Sequence, residues 1–314
     1  VEVVPVVLCF DEKFGGYATV TIASALANAD AHYKIYCLYS GDPAKFPREL
    51  FALANRYKCE IIKVDIPDDL FANWGTSQAY SKAVYYRLLI PQVVAEPRAI
   101  YMDSDILVTC GLSQLLSHDL GDCWLGGCVD PTSTALKLIE LPPGDPYLNS
   151  GVLLLDTEAL RRHRPLSVIG EIYQQHLERI RWPDQCLINK MAEGRKAILP
   201  SRWNVQFHVF EKNNISEELA RWNGGGILHF SGPTKPWMEW SPTKISELWA
   251  LYARIAGIEP DALRIRATEV PQRAWVAARN EAEGDWKAAA EIWKEITYLL
   301  IEHVSSTTPQ PAPG

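Results

Sequence analysis

Over roughly its first hundred residues the chain alternates short apolar runs with helix-spaced segments, and no other feature narrows its possible folds as far. Residues 3–10 are an apolar run broken only by Pro5, as in a strand covered on both faces with its proline near the start. Residues 17–27 then read as helix, 33–38 as strand, 47–57 as amphipathic helix, 59–64 as strand, 81–89 as helix and 99–102 as strand. Strands that take turns with helices are linked by crossovers, which sets them side by side in a mainly parallel sheet. The expected fold class is therefore α/β. Residues 124–129 and 152–156 are two more apolar runs with no regular helix between them, so the central sheet is expected to become mixed there. Residues 166–177, 184–191 and 242–256 read as flanking helices, and 224–230 as a late strand entered through glycines.

The chemistry-bearing residues fall at the ends of these elements. Tyr101-Met102-Asp103-Ser104-Asp105 is an apolar strand that runs out into two carboxylates one residue apart, at the sheet edge where open α/β sheets bind ligands. In extended backbone, residues i and i+2 point the same way, so Asp103 and Asp105 are placed to grip one hard cation; a polar turn after a strand is the plainer alternative. Far downstream, His229 leaves a strand and is followed by a Gly232-Pro233 turn and by Lys235 between prolines, which offers a third ligand and a phosphate-binding cation. Each alone would be an ordinary strand histidine and a solvated loop charge. Asn149-Ser150-Gly151 precedes an expected strand, where an asparagine serves equally as a turn former. Asp184-Gln185 opens a helix, where an acid also suits the helix dipole.

Charge and composition exclude several partners. The 31 Lys and Arg face 38 Asp and Glu for a net charge of -7, with no basic patch, so nucleic acid is not an expected ligand. No run approaches the roughly 18 apolar residues of a membrane span, and no basic-then-apolar leader opens the sequence. The chain reads as soluble, unexported and cytoplasmic. Its seven cysteines (Cys9, Cys37, Cys59, Cys110, Cys123, Cys128 and Cys186) are irregularly spaced and mostly within apolar runs, as expected of buried thiols in a reducing compartment. Cys123 and Cys128 have no second pair of matching spacing, so structural zinc is not expected.

In order and identity, six segments resemble the family 8 retaining glycosyltransferases, including the bacterial lipopolysaccharide galactosyl- and glucosyltransferases. They are Val7-Leu-Cys-Phe-Asp-Glu12, Tyr85-Tyr-Arg-Leu-Leu-Ile-Pro91, Ala99-Ile-Tyr-Met-Asp-Ser-Asp105, Tyr147-Leu-Asn-Ser-Gly-Val-Leu-Leu-Leu-Asp156, Asp184-Gln185 and His229-Phe-Ser-Gly-Pro-Thr-Lys-Pro-Trp237, and the likeness spans residues 3–240. The resemblance implies the GT-A nucleotide-sugar fold over residues 1–258, a UDP-galactose or UDP-glucose donor, Mn2+ with Mg2+ as a substitute, and a glycan or lipid-linked acceptor. It implies that Asp103, Asp105 and His229 are metal ligands and that Lys235 and the backbone at Gly232 hold the diphosphate. Asp11 would take the uracil beside the Cys9-Phe10 backbone, with the ribose contact left open because Lys13 stands where relatives carry a short polar residue. Arg87 would reach the donor sugar or phosphate, unless it is a helix arginine paired with a carboxylate. Ser104, Asn149, Ser150, Asp184 and Gln185 would complete the donor site, with Asp184 and Gln185 as its catalytic pair. Retention ordinarily uses a carboxylate nucleophile. The nearest group to the anomeric carbon would instead be the amide of Gln185, which favours front-face attack. Trp74, Gly75 and residues 80–82 lie where relatives carry a mobile segment over the donor.

From residue 259 the pattern changes to two Ala-rich helices, 272–283 and 285–303, parted at Gly284, in an appendage over 259–304. Residues 261–303 carry six basic and eight acidic side chains, which implies at most peripheral contact with the inner face of a membrane. Residues 277–293 resemble one tetratricopeptide-type helix pair. A lone pair cannot bury both of its faces, so Trp275, Trp286 and Trp293 are expected to anchor it on the parent domain, on a second copy of the chain or on further repeats. Residues 305–314 are rich in Ser, Thr and Pro and read as a disordered tail. Two other functions fit the same segments: a nucleotide-sugar-binding protein that acts through its helical tail, and a self-glucosylating primer resembling glycogenin.

Overall fold

The computed structural model describes residues 3–75, 81–130, 139–176, 178, 182–206 and 225–307. The early apolar runs form β1 (Val3–Asp11), β2 (His32–Ser40), β3 (Glu60–Asp65) and β4 (Arg98–Met102), all parallel, in the order β3-β2-β1-β4. β1 must be apolar on both sides because each side meets a different core. Val4, Val6, Leu8 and Phe10 pack with Ile22 of α1 (Gly15–Ala27) and Leu50 of α2 (Glu49–Tyr57). Val7 and Cys9 pack with Tyr85 and Leu88 of the segment Lys82–Leu89.

Six further strands follow among the described residues: β5 (Ile106–Val108), β6 (Leu125–Val129), β7 (Leu148–Asp156), β8 (Lys196–Ile198), β9 (Val205–Gln206) and β10 (Ile227–His229). β7 adds to β4 antiparallel, β6 pairs antiparallel with β7, and β8 runs parallel to β6, which makes the mixed, mostly parallel sheet expected from the sequence. β5, β10 and β9 form a second, three-stranded sheet against it. The flanking helices α3 (Thr157–His163), α4 (Leu166–His176), α5 (Pro183–Met191) and α6 (Thr243–Ile255) complete the body.

Three local readings are corrected. Residues 82–89 form a 3-10 helix instead of an α-helix, capped by the Ser81 hydroxyl, and its tighter winding leaves Tyr85, Tyr86, Arg87 and Leu88 all buried. β7 begins at Leu148, so Asn149, Ser150 and Gly151 are strand residues and not the turn before it. The late strand is confined to Ile227–His229, and Gly224 lies outside the described residues.

At the carboxyl end, α7 (Val270–Ala282) and α8 (Trp286–Thr307) form the helical hairpin, with Gly284 between them at φ 86°, a left-handed conformation that favours glycine. α7 rests on the body through Arg279, which donates to the Glu239 carbonyl, and through Trp275 against Trp240. Val276 and Ala277 of α7 and Ala289 and Ile296 of α8 are buried, while Trp286 and Trp293 remain on the outside. The stretch before α7 is itself tied in: Tyr17 donates to the Leu263 carbonyl, Ile265 N–H to Trp237 and Glu239 N–H to Ile265. A division between 258 and 259 therefore falls within packed chain. α8 continues to Thr307, so a tail starting at Ser305 begins inside that helix, and residues 308–314 lie outside the described residues. No helix among the described residues is long and apolar enough to cross a membrane.

Candidate active site

β4 and β7 run antiparallel with Met102 opposite Val152, so the end of one strand meets the start of the other. Asp103 N–H donates to the Gly151 carbonyl at 2.8 Å as a last rung. The chain then bends. Thr21 of α1 lies within donating distance of the Ser104 and Ile106 carbonyls, at 3.0 and 2.8 Å, and pins the bend from below. The two carboxylates thus converge through a turn held by α1, not through the alternation of an extended strand.

The second sheet delivers the third group. β10 pairs antiparallel with β5, His229 opposite Ile106, and Phe230 N–H donates to the Asp105 carbonyl. His229 Nε2 is 3.4 Å from Asp105 Oδ1 and 3.7 Å from Asp103 Oδ2. Carboxylate and imidazole atoms of all three lie within 4.8 Å of one another. Gly151 lies directly against the ring, and a Cβ at that position would stand 2.1 Å from His229 Cε1. This donor set suits a divalent ion such as Mn2+ or Mg2+ that completes its shell with ligand oxygens. The Oγ atom of Ser231, which lines the site, is buried without a hydrogen-bond partner among the described residues, as befits a site that awaits a polar ligand.

Arg87 and Lys235 balance the charge. Arg87 stacks over the Tyr101 ring and pairs with Asp103 at 2.8 Å and Asp184 at 3.0 Å, while donating to the Ser150 and Val84 carbonyls. Burial disfavours its charge, but the two carboxylates more than compensate and hold its pKa above the ordinary value. Asp103 is raised by burial against the pull of Arg87, with Asp105 adding to the rise. Burial acts on Asp105 too, yet Lys235 and His229 bring it below the usual carboxylate range. Lys235 Nζ lies 2.6 Å from Asp105 Oδ2 and donates to the Phe230 carbonyl.

Opposite the carboxylates, α5 is clamped to β7 by Asn189, whose amide exchanges two hydrogen bonds with the Leu148 backbone. This fixes Asp184 and Gln185. Asp184 accepts from Ser150 Oγ at 3.0 Å, and Gln185 accepts from Ser150 N–H at 3.1 Å and donates to Asp130 at 2.9 Å.

A cleft of about 320 Å³ joins these groups. Arg87, Asp103, Asp105, Asn149, Ser150, Asp184, Gln185, His229, Gly232 and Lys235 line it, which are ten of the expected site residues. Cys9, Phe10, Asp11 and Ser104 do not. The Phe10 ring packs on Tyr39 and Phe46 in the core, Cys9 is buried, and Asp11 accepts from Lys13 and Phe14 N–H at the start of α1. Trp74, considered for a lid, stacks on Tyr173 at 4.1 Å within an aromatic cluster, and Tyr80 lies outside the described residues. The sequence reading missed Asp130, Trp182, Gln206 and Ser231 in the lining, and Asn204 behind His229. Ser231 sat inside a quoted segment; the other four stood alone, with no spacing to mark them.

Residues 5–241 match the model of glycosyl transferase family 8. General stress protein A of Bacillus subtilis is 24% identical over 251 residues, 75% of this chain and 88% of that protein. The lipopolysaccharide 1,2-glucosyltransferase of Escherichia coli is 24% identical over 245 residues, 74% of this chain and 72% of that one. Against the longer glycosyltransferase GlyF of Streptococcus pneumoniae, at 26% identity, the match covers 65% of this chain and 51% of the relative. In fold, the chain is similar to galactosyltransferase LgtC, solved with donor and acceptor sugar analogues, at a TM-score of 0.67 over 81% of this chain and 95% of LgtC, with 24% identity. The mixed sheet, its flanking helices and the cleft at the strand ends are thus a GT-A architecture, and the chain belongs to glycosyl transferase family 8.

Proposed function

We propose that the chain is a metal-dependent retaining hexosyltransferase that moves galactose or glucose from a UDP-sugar to a hydroxyl of a glycan or lipid-linked acceptor in bacterial surface-polysaccharide synthesis. The observation that carries this reading is the convergence of Asp103, Asp105 and His229, with Lys235 beside them, on one wall of a cleft whose other wall is Asp184 and Gln185. Likeness to a lipopolysaccharide glucosyltransferase supports the acceptor class.

Asp103, Asp105 and His229 would hold a divalent ion, Mn2+ or in its place Mg2+, which would supply positive charge against the departing diphosphate. Lys235 adds a second cation, and the backbone at Gly232 and the Ser231 hydroxyl line the same side of the cleft. The family resemblance assigns the uracil to Asp11 and the Cys9-Phe10 backbone, which lie outside the lining of this cleft. Asp184, fixed by Ser150 and Arg87, orients the hexose hydroxyls. Gln185, held at both ends of its amide by Ser150 and Asp130, turns a preorganised dipole to the reacting carbon. The acceptor oxygen bonds to that carbon on the face from which the phosphate oxygen departs, and the acceptor proton passes to the departing phosphate. Configuration is retained with no carboxylate nucleophile. The work is done at the cytoplasmic side, with at most peripheral contact with the membrane.

A panel of UDP-sugars, assayed for UDP release with Mn2+ and with chelator, tests donor and activity together. Release from UDP-galactose or UDP-glucose that stops in chelator is expected. Asp105→Asn should abolish metal-dependent UDP binding. Gln185→Ala should leave UDP affinity nearly intact and lower turnover by about a hundredfold, the scale of losing one preorganised transition-state group. Tight UDP binding without turnover on any donor would favour a nucleotide-sugar-binding protein, and hexoses added to the chain itself would favour a self-glucosylating primer.

A further inference from the structure

Behind His229 two buried side chains lead back to the backbone, and the link at the backbone end has only one possible polarity. The N–H of Gly151 can only donate, and it donates to the Asn149 side chain at 3.0 Å, so the receiving atom is the amide oxygen. That same oxygen stands 2.8 Å from the Asn204 side chain, which must therefore present its NH2. The Asn204 oxygen is left facing His229 Nδ1 at 3.0 Å, so Nδ1 carries a hydrogen. In the neutral ring the lone pair then resides on Nε2, which points at the oxygens of Asp105 and Asp103. A lone pair aimed between two carboxylates is repulsive until a cation stands among them.

Burial makes the relay exclusive. Asn204, the link between Asn149 and His229, is 2% exposed and does not line the cleft, so solvent does not offer it substitute partners. β9 exists to the length of two residues, paired to β10 with Val205 opposite Leu228, and this pairing sets the preceding Asn204 against the ring. We propose that Asn204 is a positioning residue that holds His229 in its Nδ1–H tautomer and so aims Nε2 at a divalent cation shared with Asp103 and Asp105. This rests on the metal-dependent reading above. Partners of this kind typically contribute ten- to a hundredfold in metal affinity.

Two measurements test it. Nitrogen-15 spectra of the metal-free full chain, with His229 assigned through His229→Gln, should show a protonated Nδ1 and an unprotonated Nε2 at a pH where the ring is neutral. A protonated Nε2 would overturn the proposal. Titration with Mn2+ alone, followed by electron paramagnetic resonance, should give an affinity at least about tenfold weaker in Asn204→Leu, which keeps the volume and loses both polar ends. Asn204→Asp, which keeps an oxygen against Nδ1, should recover part of that loss. Equal Mn2+ affinity in the natural chain and Asn204→Leu would overturn the proposal. Failure of the natural chain to bind Mn2+ at all would overturn the metal-dependent reading and Asn204's purpose with it, a result distinct from equal, tight binding. Should Asn204→Leu not fold, the spectrum of the natural chain and the Asn204→Asp titration still decide.

Discussion

Gly151 sets how near His229 can come to the carboxylates, because its missing side chain is the space the imidazole fills. In Gly151→Ala the added carbon, at 2.1 Å from Cε1, displaces a buried ring, and Mn2+-dependent UDP binding is expected to fall by at least about tenfold in a calorimetric titration. Several residues of the cleft were legible in the sequence from segments with a fixed order: Asp103 and Asp105 after a strand, His229 before a glycine turn, Lys235 between prolines. Arg87 is paired with two carboxylates, as its plainer alternative had it, and it also lines the cleft where the proposed donor contact would be made. Asn149 was read as a turn former or a residue around the hexose; it is a strand residue that lines the cleft, and its oxygen serves Gly151 and Asn204. Asn204 could not be found from its identity, because a lone amide acquires its meaning only from the polarity of the partners that folding brings to it.

At the scale of elements, α1 reaches under the bend that carries the paired aspartates through a single hydroxyl. Thr21→Val keeps the shape and removes the donor to two buried carbonyls, so a loss of about 1–3 kcal/mol in denaturant unfolding is expected, with weaker Mn2+ binding; Thr21→Ser should restore both. Long elements with an unbroken period were legible: β1, β2, α1 and α6 lie within a few residues of where the pattern sets them. The strands β5, β8 and β9 are two or three residues long and show no period at all. They are specified by what they pair with, which a linear reading does not contain. Residues 82–89 have helical spacing but a 3-10 backbone, a distinction the spacing of apolar residues does not carry.

For the molecule as a whole, the appendage and the catalytic body share one stretch of backbone. A chain cut after residue 258 loses the pairing of Ile265 with Trp237 and Glu239, next to the loop that carries Lys235, whereas a chain cut after 268 keeps it. The shorter chain is expected to melt several degrees lower and to lose most UDP release, and the longer one to keep activity within about threefold, by thermal melts and donor assays side by side; a loss of 1 kcal/mol moves a domain of this size by roughly 2–4 °C. The small sheet of β5, β10 and β9 gathers segments near positions 106, 228 and 205 and stays together only when all three have come home. An ion captured at its rim favours the assembled state by about 2.7 kcal/mol at a hundredfold excess over its dissociation constant. A thermometer thereby becomes a detector for the proposed ion: the melting midpoint is expected to climb with manganese concentration, and the slope of that climb would report the affinity without any sugar in the tube.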